Sequence, residues 1–242
     1  MRLKQPAPGV YTIPLGVVNA YLIDDGDLTL VDTGIPGSAD KILGVVRSLG
    51  RQPGDIRQIV VTHCHADHSG SLAALKAATG APAYMHPADA ALVRAGQTSR
   101  PMRPAPGLLP ALMFRLVVRS APHTIEPAEI EHEVSDGETL PFAGGLRAVH
   151  VPGHCAGQLA LLWPRHGGVL FAADAASNML GRLGPSIFYE DLAEGMRSLQ
   201  HLAALDFAIA CFGHGRPITG DASARFRRRW PTKSGVTQGR AP

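Results

Sequence analysis

The chain of 242 residues is 45% hydrophobic but only 5% aromatic, and this length and composition suit one domain with a large core. Glycine (27 residues) and proline (20 residues) are frequent, which disfavours a helical bundle and favours many short elements joined by tight turns. The formal net charge is +3, but six of the 23 basic residues follow Asp221 and no acidic residue does. The body of the chain is therefore slightly acidic, which disfavours nucleic acid as a partner of the fold.

The amino-terminal segment lacks the pattern of a signal peptide, because Pro6, Pro8 and Pro14 interrupt it before an apolar stretch develops. The longest apolar stretch, 108–118, contains Pro110 and Arg115 and is too short to span a bilayer. The three cysteines form no CxxC pair, which is typical of a protein from a reducing compartment. We therefore expect a cytoplasmic protein without membrane association.

The first half of the sequence predicts a meander of strands followed by strand and helix units. Residues 10–32 contain three short apolar strands separated by turn residues. A helix is predicted over 38–49, and a buried strand over 57–63 leads into a second helix over 69–79. A strand over 83–85 and a helix opened by Pro87 follow. The proline-rich stretch 96–127 is the least regular part and predicts an insertion.

The second half repeats this arrangement. Strands are predicted over 146–151, 159–163 and 169–173, a helix over 190–203, and a last strand over 206–212. Two halves that each combine strands with a helix predict an α/β (α+β) fold of four layers, in which two mixed β-sheets are flanked by helices. We expect one domain over 1–221, with the insertion at about 96–127, and a solvated basic C-terminal tail over 222–242.

Three histidines and one aspartate lie within six residues at the end of the predicted strand 57–63: His63, His65, Asp67 and His68. Because side-chain direction repeats every two residues on an extended segment, His63 and His65 point the same way and can share one ion. Asp67 and His68 follow after the chain has turned and can hold a second ion nearby. Imidazole and carboxylate ligands without thiolate suit Zn²⁺, with Fe or Mn also admissible. The sequence therefore predicts a site for two divalent metal ions, Zn first.

The segment THCHADHSG resembles the metal-binding motif of the metallo-β-lactamase superfamily, in particular of its glyoxalase II-like and lactonase-like hydrolases. VDTG over 31–34, HVPGHCAGQ over 150–158, LFAADA over 170–175 and CFGHG over 211–215 match further motifs in the family's order. The resemblance implies the αββα sandwich of that superfamily. It also implies a ligand set in which one metal is bound by His63, His65 and His154, the other by Asp67, His68 and His214, with Asp174 as the bridge.

The resemblance further implies that Asp32 accepts a hydrogen bond from a metal-bound histidine. The alternative for Asp32 is a turn-forming aspartate ahead of Gly34. Two divalent ions lower the pKa of a shared water and stabilise negative charge on an attacked carbonyl oxygen. A carboxylate can orient that water and return a proton to the leaving group, which makes Asp67 the candidate catalytic residue. We therefore expect a metallo-hydrolase that uses a hydroxide held by both metals.

The apolar residues of the 96–127 segment favour a small-molecule substrate with an acyl group, so we expect a carbonyl ester, a thioester or a lactone. The same segment could instead pair two chains in a homodimer, or form a packed core helix. Only 28 residues follow His214, whereas glyoxalase II carries a helical region there. The stretch AASNML after Asp174 lacks the tyrosine of the acyl-homoserine lactonases, and the nearest tyrosine is Tyr189. The commonest β-lactamase branch has cysteine at the position of Asp174.

Two other classes of function stay open. The ligand set tolerates iron, so an iron-dependent persulfide dioxygenase-like redox enzyme is one alternative. The other is a phosphodiesterase or nuclease of the same fold, with RFRRRW over 225–230 as the only basic run for phosphate contacts. Among the histidines that are not predicted as ligands, we expect His86 to cap a helix and His150 to support a ligand from the end of a strand. The cysteines, Cys64 among them, are expected to be small buried hydrophobic residues.

Overall fold

The computed structural model describes residues 3–118 and 121–231. Its strands, numbered in chain order, are β1 (Lys4–Ala7), β2 (Val10–Pro14), β3 (Asn19–Asp25), β4 (Asp27–Val31), β5 (Ile56–Val60), β6 (Ala83–Met85), β7 (Arg103–Pro104), β8 (His132–Glu133), β9 (Thr139–Leu140), β10 (Leu146–His150), β11 (Leu159–Trp163), β12 (Val169–Phe171), β13 (Ala176–Met179), β14 (Arg182–Pro185), β15 (Phe188–Tyr189), β16 (Ile209–Cys211) and β17 (Ile218–Thr219). The helices are α1 (Ala39–Ser48), α2 (Ala66–Ser69), α3 (Leu72–Thr79), α4 (Pro87–Arg94), α5 (Leu108–Met113), α6 (Leu192–Ala204) and α7 (Ala222–Arg229). A 3-10 turn (Pro53–Asp55) precedes β5, and a π-helical turn (Phe114–Val118) extends α5.

Two mixed β-sheets form the centre of the fold. The first has the strand order β1-β2-β3-β4-β5-β6-β8, antiparallel as far as β4 and parallel from β4 onward. The second has the order β17-β16-β12-β11-β10-β9, antiparallel except for the parallel pair β12 and β16. Two short strand pairs, β13 with β14 and β7 with β15, lie outside these sheets. The predicted pair of mixed sheets is confirmed.

Alternation of side chains along the strands divides the core into three layers. Leu22 and Leu30 of the first sheet pack with α1, α3 and α4, while their neighbours Ile23 and Val31 pack between the two sheets. On the far face of the second sheet, Leu170 packs with residues of α6 and α7. The resulting order of helix, sheet, sheet and helix is the predicted αββα sandwich.

The C-terminal segment that we expected to be solvated from residue 222 begins instead with a packed helix. Ala222, Phe226 and Trp230 recur every four residues and are buried in the same core layer as α6. Because this spacing places them on one helical face, the arginines between them stay exposed. Residues 222–230 are therefore part of the packed fold. The rest of the predicted tail, 232–242, lies outside the described residues.

The 96–127 segment contains β7, α5 and the π-helical turn, as far as the structure describes it. Helix α5 is strongly exposed: Leu108 is 92%, Leu109 69% and Leu112 54% accessible. This exposure excludes the packed core helix that the sequence left as an alternative. Within residues 3–118 and 121–231, no helix combines the length and apolarity required to cross a bilayer.

Candidate metal centre

The ends of neighbouring strands bring the sequence motifs to one place. Asp32 directly follows β4 and the HCHADH segment follows β5, and these two strands are parallel neighbours. In the second sheet, Asp174 follows β12 and His214 follows β16, which are also parallel neighbours. Because the carboxyl ends of parallel strands meet at the same edge of a sheet, each pair of motifs lies together. A hydrogen bond from the N–H of Leu159 to the carbonyl of Thr62 joins the two edges.

His63, His65 and His154, called here the first group, place ligand atoms within 4.8 Å of one another. Nε2 of His154 lies only 3.0 Å from Nδ1 of His65. The rings stand almost perpendicular, with interplanar angles of 84° for His63 and His65 and 89° for His65 and His154. The three imidazoles therefore converge by their nitrogen edges instead of stacking.

Asp67, His68 and His214, the second group, meet the same distance criterion. Oδ2 of Asp67 lies 3.3 Å from Nε2 of His214 and 3.7 Å from Nε2 of His68. Asp174 reaches both groups, because its carboxylate oxygens lie 3.1 Å from Nε2 of His214, 3.5 Å from Nε2 of His68 and 3.6 Å from Nε2 of His154. All seven residues that the sequence predicted as ligands are thus brought together.

Hydrogen bonds to the protein orient four of the five imidazoles through Nδ1. His154 Nδ1 lies 2.8 Å from the carbonyl of Phe188, and His214 Nδ1 lies 2.8 Å from the carbonyl of Val17. A carbonyl oxygen only accepts, so Nδ1 carries the proton in both rings, and whenever the ring is neutral Nε2 holds the lone pair. His63 and His68 are held in the same way by side-chain oxygens. The tautomer that exposes Nε2 toward the site is therefore selected by the surrounding protein.

Asp32 is the origin of two of these hydrogen bonds. Its Oδ2 accepts from Nδ1 of His68 at 2.8 Å and from the hydroxyl of Thr62 at 3.0 Å. Because that hydroxyl donates to Asp32, its oxygen is left to accept from Nδ1 of His63, 3.0 Å away. Asp32 also has a left-handed backbone with φ of 64°. It therefore combines the two roles that the sequence offered for it, histidine partner and turn residue.

The two groups differ in how their imidazoles bind protons in the metal-free chain. Burial lowers the pKa of every imidazole in the first group, to about 3 for His65. Burial also opposes protonation in the second group, but there the carboxylates of Asp174 and Asp67, joined at His68 by Asp32, together outweigh burial and raise the pKa of His68 and His214. The imidazoles of the first group are thus neutral and can bind a metal ion directly. A metal ion that binds to the second group must displace protons from its imidazoles.

The donor atoms of the centre fit bound divalent metal. Three buried atoms of the site have no hydrogen-bond partner among the described residues: Nε2 of His63, Nε2 of His68 and Oδ1 of Asp174. Buried polar atoms without partners cost free energy, so several at one point indicate an absent ligand. Gly213 keeps space open there, since a Cβ at this position would lie 2.1 Å from Oδ1 of Asp174. Imidazole and carboxylate ligands are those that Zn²⁺, Fe and Mn accept.

His86 and His150 make their hydrogen bonds away from the seven ligands, whereas the thiols of Cys64 and Cys155 lie within 4.8 Å of each other and of a ring nitrogen of His65. His86 caps α4 by accepting from the N–H of Ala88, as predicted. His150 stacks on His86 at 4.1 Å and its Nε2 pairs with the carbonyl of Ala156 in the loop that carries His154. Cys64, Cys155 and Cys211 are buried free thiols. The predicted supporting role of His150 and the burial of the cysteines both agree with these contacts.

Several residues that hold the ligands gave no signal in the sequence. Asn19 donates from Nδ2 to the carbonyls of Phe212 and Gly215, on both sides of His214. Tyr21 donates to the carbonyl of Phe212 at 2.8 Å and accepts from its N–H at 3.0 Å. Both residues lie on β3, and their polar side-chain groups are the only hint that the sequence offers for this role. They fix the His214 loop on the first sheet.

Comparison with known proteins agrees with this geometry. The family model of the metallo-beta-lactamase superfamily matches residues 13–214. A probable metallo-hydrolase of Bacillus subtilis, YflN, is 25% identical over 233 residues, which cover 89% of this chain and 87% of that protein. Hydroxyacylglutathione hydrolase of Halorhodospira halophila is 27% identical over 81% of this chain, but the match spans only 56% of that protein.

Solved structures share the fold. A metallo-β-lactamase of Cronobacter sakazakii with a HARLDQ motif superposes with a TM-score of 0.69 and 23% identity, over 89% of this chain and 81% of that chain. The order of motifs, the four layers and the match of the family model over most of the sequence lead to one conclusion. The chain belongs to the metallo-β-lactamase superfamily and has the metal-dependent hydrolase architecture of that family.

Proposed function

We propose that this protein is a two-metal hydrolase that cleaves a carbonyl ester, a thioester or a lactone of a small molecule with an acyl group. The observation that carries the proposal is the convergence of seven ligand side chains whose free nitrogens and carboxylate oxygens point to two adjacent positions. In this proposal the first group holds one ion, the second group holds the other, and Asp174 bridges them. Zn²⁺ is the first candidate for both positions.

Two such ions supply a water of lowered pKa and a positive field for charge that develops on the attacked oxygen. Asp67 is the side chain proposed to move the proton. Its side chain is 31% exposed, so it can face both the ions and an incoming substrate. Burial raises the pKa of Asp67, but the adjacent imidazoles of His68 and His214 outweigh burial and hold this pKa below its usual range. The carboxylate is therefore charged at neutral pH and can accept a hydrogen bond that orients the attacking water, and in this proposal it later returns a proton to the leaving group.

The acyl preference is supported by the position of the exposed apolar segment. The ring of Phe114 contacts the ring of Phe188, with centroids 5.7 Å apart, and the carbonyl of Phe188 is the one that orients His154. Phe114, directly after the exposed helix α5, therefore contacts a residue that orients a ligand of the metal centre. Apolar surface of this kind favours an acyl chain over a polyanion.

Three branches of the family suggest three possible substrates: a glutathione thioester, a lactone or a β-lactam. The match to hydroxyacylglutathione hydrolase leaves nearly half of that protein uncovered, so a glutathione thioester is one candidate substrate among thioesters. Tyr189, the nearest equivalent to a lactonase tyrosine, is buried and its ring lies against Gly195 of α6. For β-lactams, only the fold is shared with the solved β-lactamase of Cronobacter sakazakii. Simple esters and thioesters are therefore the first substrates to test.

The test measures metal content and turnover on the same preparation. Metal per chain is determined by plasma mass spectrometry after purification without added metal. Hydrolysis is then followed on an aryl ester, an acyl thioester, a lactone and an aryl phosphodiester, with Asp67→Asn as the matched variant that keeps shape but removes the charge. We expect about two equivalents of divalent metal and carbonyl turnover that Asp67→Asn abolishes.

Other outcomes decide between the alternatives. One equivalent of iron, no hydrolysis and oxygen uptake with a persulfide would replace the hydrolase with a dioxygenase. Phosphodiester cleavage without carbonyl turnover, inhibited by salt, would favour a nuclease that uses the arginines of α7. Protein that binds no metal under any loading condition would refute the proposal as a whole.

A further inference from the structure

A buried carboxylate outside the sequence motifs joins the two loops that carry the first group. Asp89 lies in the first turn of α4 and is 0% exposed. Its Oδ2 accepts from the backbone N–H of Cys64 at 3.0 Å, and its Oδ1 accepts from the N–H of Gly157 at 3.0 Å. Cys64 lies between two ligands of the first group, and Gly157 lies three residues after the third. One side chain therefore links both loops.

Two side chains complete the hydrogen bonding of Asp89. The thiol of Cys155 donates to Oδ2 at 3.0 Å, and Nη1 of Arg100 donates to Oδ1 at 2.8 Å. Each carboxylate oxygen thus accepts one backbone and one side-chain hydrogen bond. The guanidinium supplies the countercharge without which a buried carboxylate would be strongly unfavourable.

Arg100 connects this carboxylate to a second acid. Its Nη1 also lies 3.3 Å from Oε1 of Glu190, and Oε2 of Glu190 accepts the N–H of Ala156 at 2.9 Å. Nη2 of Arg100 donates to the carbonyl of Ala88. The loop 155–157, directly after His154, therefore gives donors to both acids, and the 96–127 segment takes part in the network through Arg100.

We propose that Asp89 is a positioning residue of the metal centre, which sets the spacing between His65 and His154, and that Arg100 and Glu190 hold Asp89 in place. The inference rests on the proposed two-metal centre and deepens it. The two imidazole nitrogens are 3.0 Å apart, and besides Asp89 the loops that carry them are joined by the hydrogen bond from Leu159 to Thr62 and by the contact between the thiols of Cys64 and Cys155. Partners behind metal ligands commonly change metal affinity by about 10–100-fold.

The variant Asp89→Asn separates a role in positioning the ligand loops from a role in packing alone. The amide has the shape of the carboxylate but only one oxygen, whereas both oxygens of Asp89 accept from backbone N–H groups. In either orientation the amide NH₂ faces a backbone donor, so one of the two loops loses its attachment. The matched control is Arg94→Gln, on the same helix, because Arg94 pairs with Glu129 and Glu133 and not with the ligand loops.

The experiment titrates metal-free wild type, Asp89→Asn and Arg94→Gln with Co²⁺ against a chelator, and follows the visible absorption of the bound ion. Thermal melts of the metal-free proteins measure stability separately. We expect Asp89→Asn to weaken one of the two Co²⁺ equivalents roughly 10-fold or more while the other changes little. Arg94→Gln removes only exposed ion pairs, so it should change thermal stability little and keep both affinities. The same titration in a His214→Ala background assigns the weakened equivalent to the first group.

Wild-type affinity for both ions in Asp89→Asn would overturn the inference, and so would equal weakening in Asp89→Asn and Arg94→Gln. If Asp89→Asn does not fold, Glu190→Gln is judged by the same criterion with a smaller expected loss, because glutamine still accepts from Ala156. If the wild type takes up two ions and Asp89→Asn binds them equally well, only this inference is refuted. A wild type without metal refutes the proposed function as well.

Discussion

Oδ2 of Asp32 lies 2.8 Å from Nδ1 of His68, and the same oxygen reaches His63 through the hydroxyl of Thr62. A single carboxylate from the end of β4 therefore orients one imidazole in each ligand group. The carboxylate only accepts, so it fixes the proton of His68 on Nδ1 directly and that of His63 through the Thr62 hydroxyl, which leaves both Nε2 atoms as lone-pair donors in the neutral rings. This arrangement relates the two proposed metal positions through a residue outside both ligand groups.

Asp32→Asn tests that relationship. Asparagine tolerates the left-handed φ of 64° as aspartate does, so the backbone should be retained. Its amide can turn NH₂ toward His68 and favour the tautomer with the proton on Nε2. We expect metal affinity to fall by about 10–100-fold, measured by competition with a chelator. Asp24→Asn, which affects only the surface ion pair with Arg51, is the control, and an unchanged affinity in Asp32→Asn would contradict the assignment.

Asp174→Ala tests the bridge. The carboxylate of Asp174 approaches imidazoles of both groups, so its removal should release at least one ion and reduce turnover by more than the roughly 10–100-fold expected for outer partners. The fold should remain recognisable by circular dichroism. Asp206→Ala is the control, because that carboxylate is 93% exposed and pairs only with Arg227 on the surface. Full activity with both ions retained in Asp174→Ala would exclude a bridging role.

Gly213→Ala tests the space in front of Asp174. The added Cβ would lie 2.1 Å from Oδ1 of Asp174 and 2.7 Å from Cε1 of His68, so one of these side chains must move. We expect weaker metal binding and lower activity, measured on metal-loaded protein. Gly44→Ala in α1 adds a methyl group in open space, and helix propensity there favours alanine by roughly 0.5–1 kcal/mol. Equal behaviour of the two variants would show that the close approach at Gly213 is not needed.

The apolar segment is tested by the double variant Leu109→Ser and Leu112→Ser. Both leucines are exposed, so the substitutions should change stability by no more than about 0.5 kcal/mol. Burial of each methylene of an acyl chain is worth about 0.8 kcal/mol, so wild-type kcat/KM should rise with acyl length and the double variant should flatten this series. Met196→Ser on α6 is the control. Light scattering of each protein shows whether a change in self-association accounts for the result.

The sequence could predict that the seven candidate ligands converge, because each lies in a short motif after a strand, where alternation and spacing limit its direction. Their partners were harder to predict. Val17 and Phe188 act through carbonyl oxygens, which every residue type possesses, so no letter of the sequence marks them. Asp89 is recognisable only in three dimensions, because its contacts lie 25 and 68 residues away.

The differences between the predicted and the observed elements of the fold also have local reasons. The arginines of 225–229 suggested a solvated tail, although Ala222, Phe226 and Trp230 at four-residue spacing predict an amphipathic helix, which is the structure observed. The hairpin of β13 and β14 has little apolar alternation, and its turn contains Leu180 with φ of 51° followed by Gly181. Neither strand therefore carried the pattern that predicts a strand.

Removal of metal should destabilise the protein without unfolding it. Three hydrophobic layers hold the sandwich without any contribution from the site, whereas the centre leaves buried nitrogens unpaired when no ion is bound. A ligand at 100 times its dissociation constant stabilises the folded state by about 2.7 kcal/mol. For a domain of this size each 1 kcal/mol shifts Tm by roughly 2–4 °C. Chelation should therefore lower Tm by about 5–10 °C per ion, measured by differential scanning calorimetry, and readdition of Zn²⁺ should restore it. A Tm that is insensitive to chelator, in protein shown to contain two ions beforehand, would contradict this expectation and mean that the ions bind the unfolded chain as tightly as the folded one.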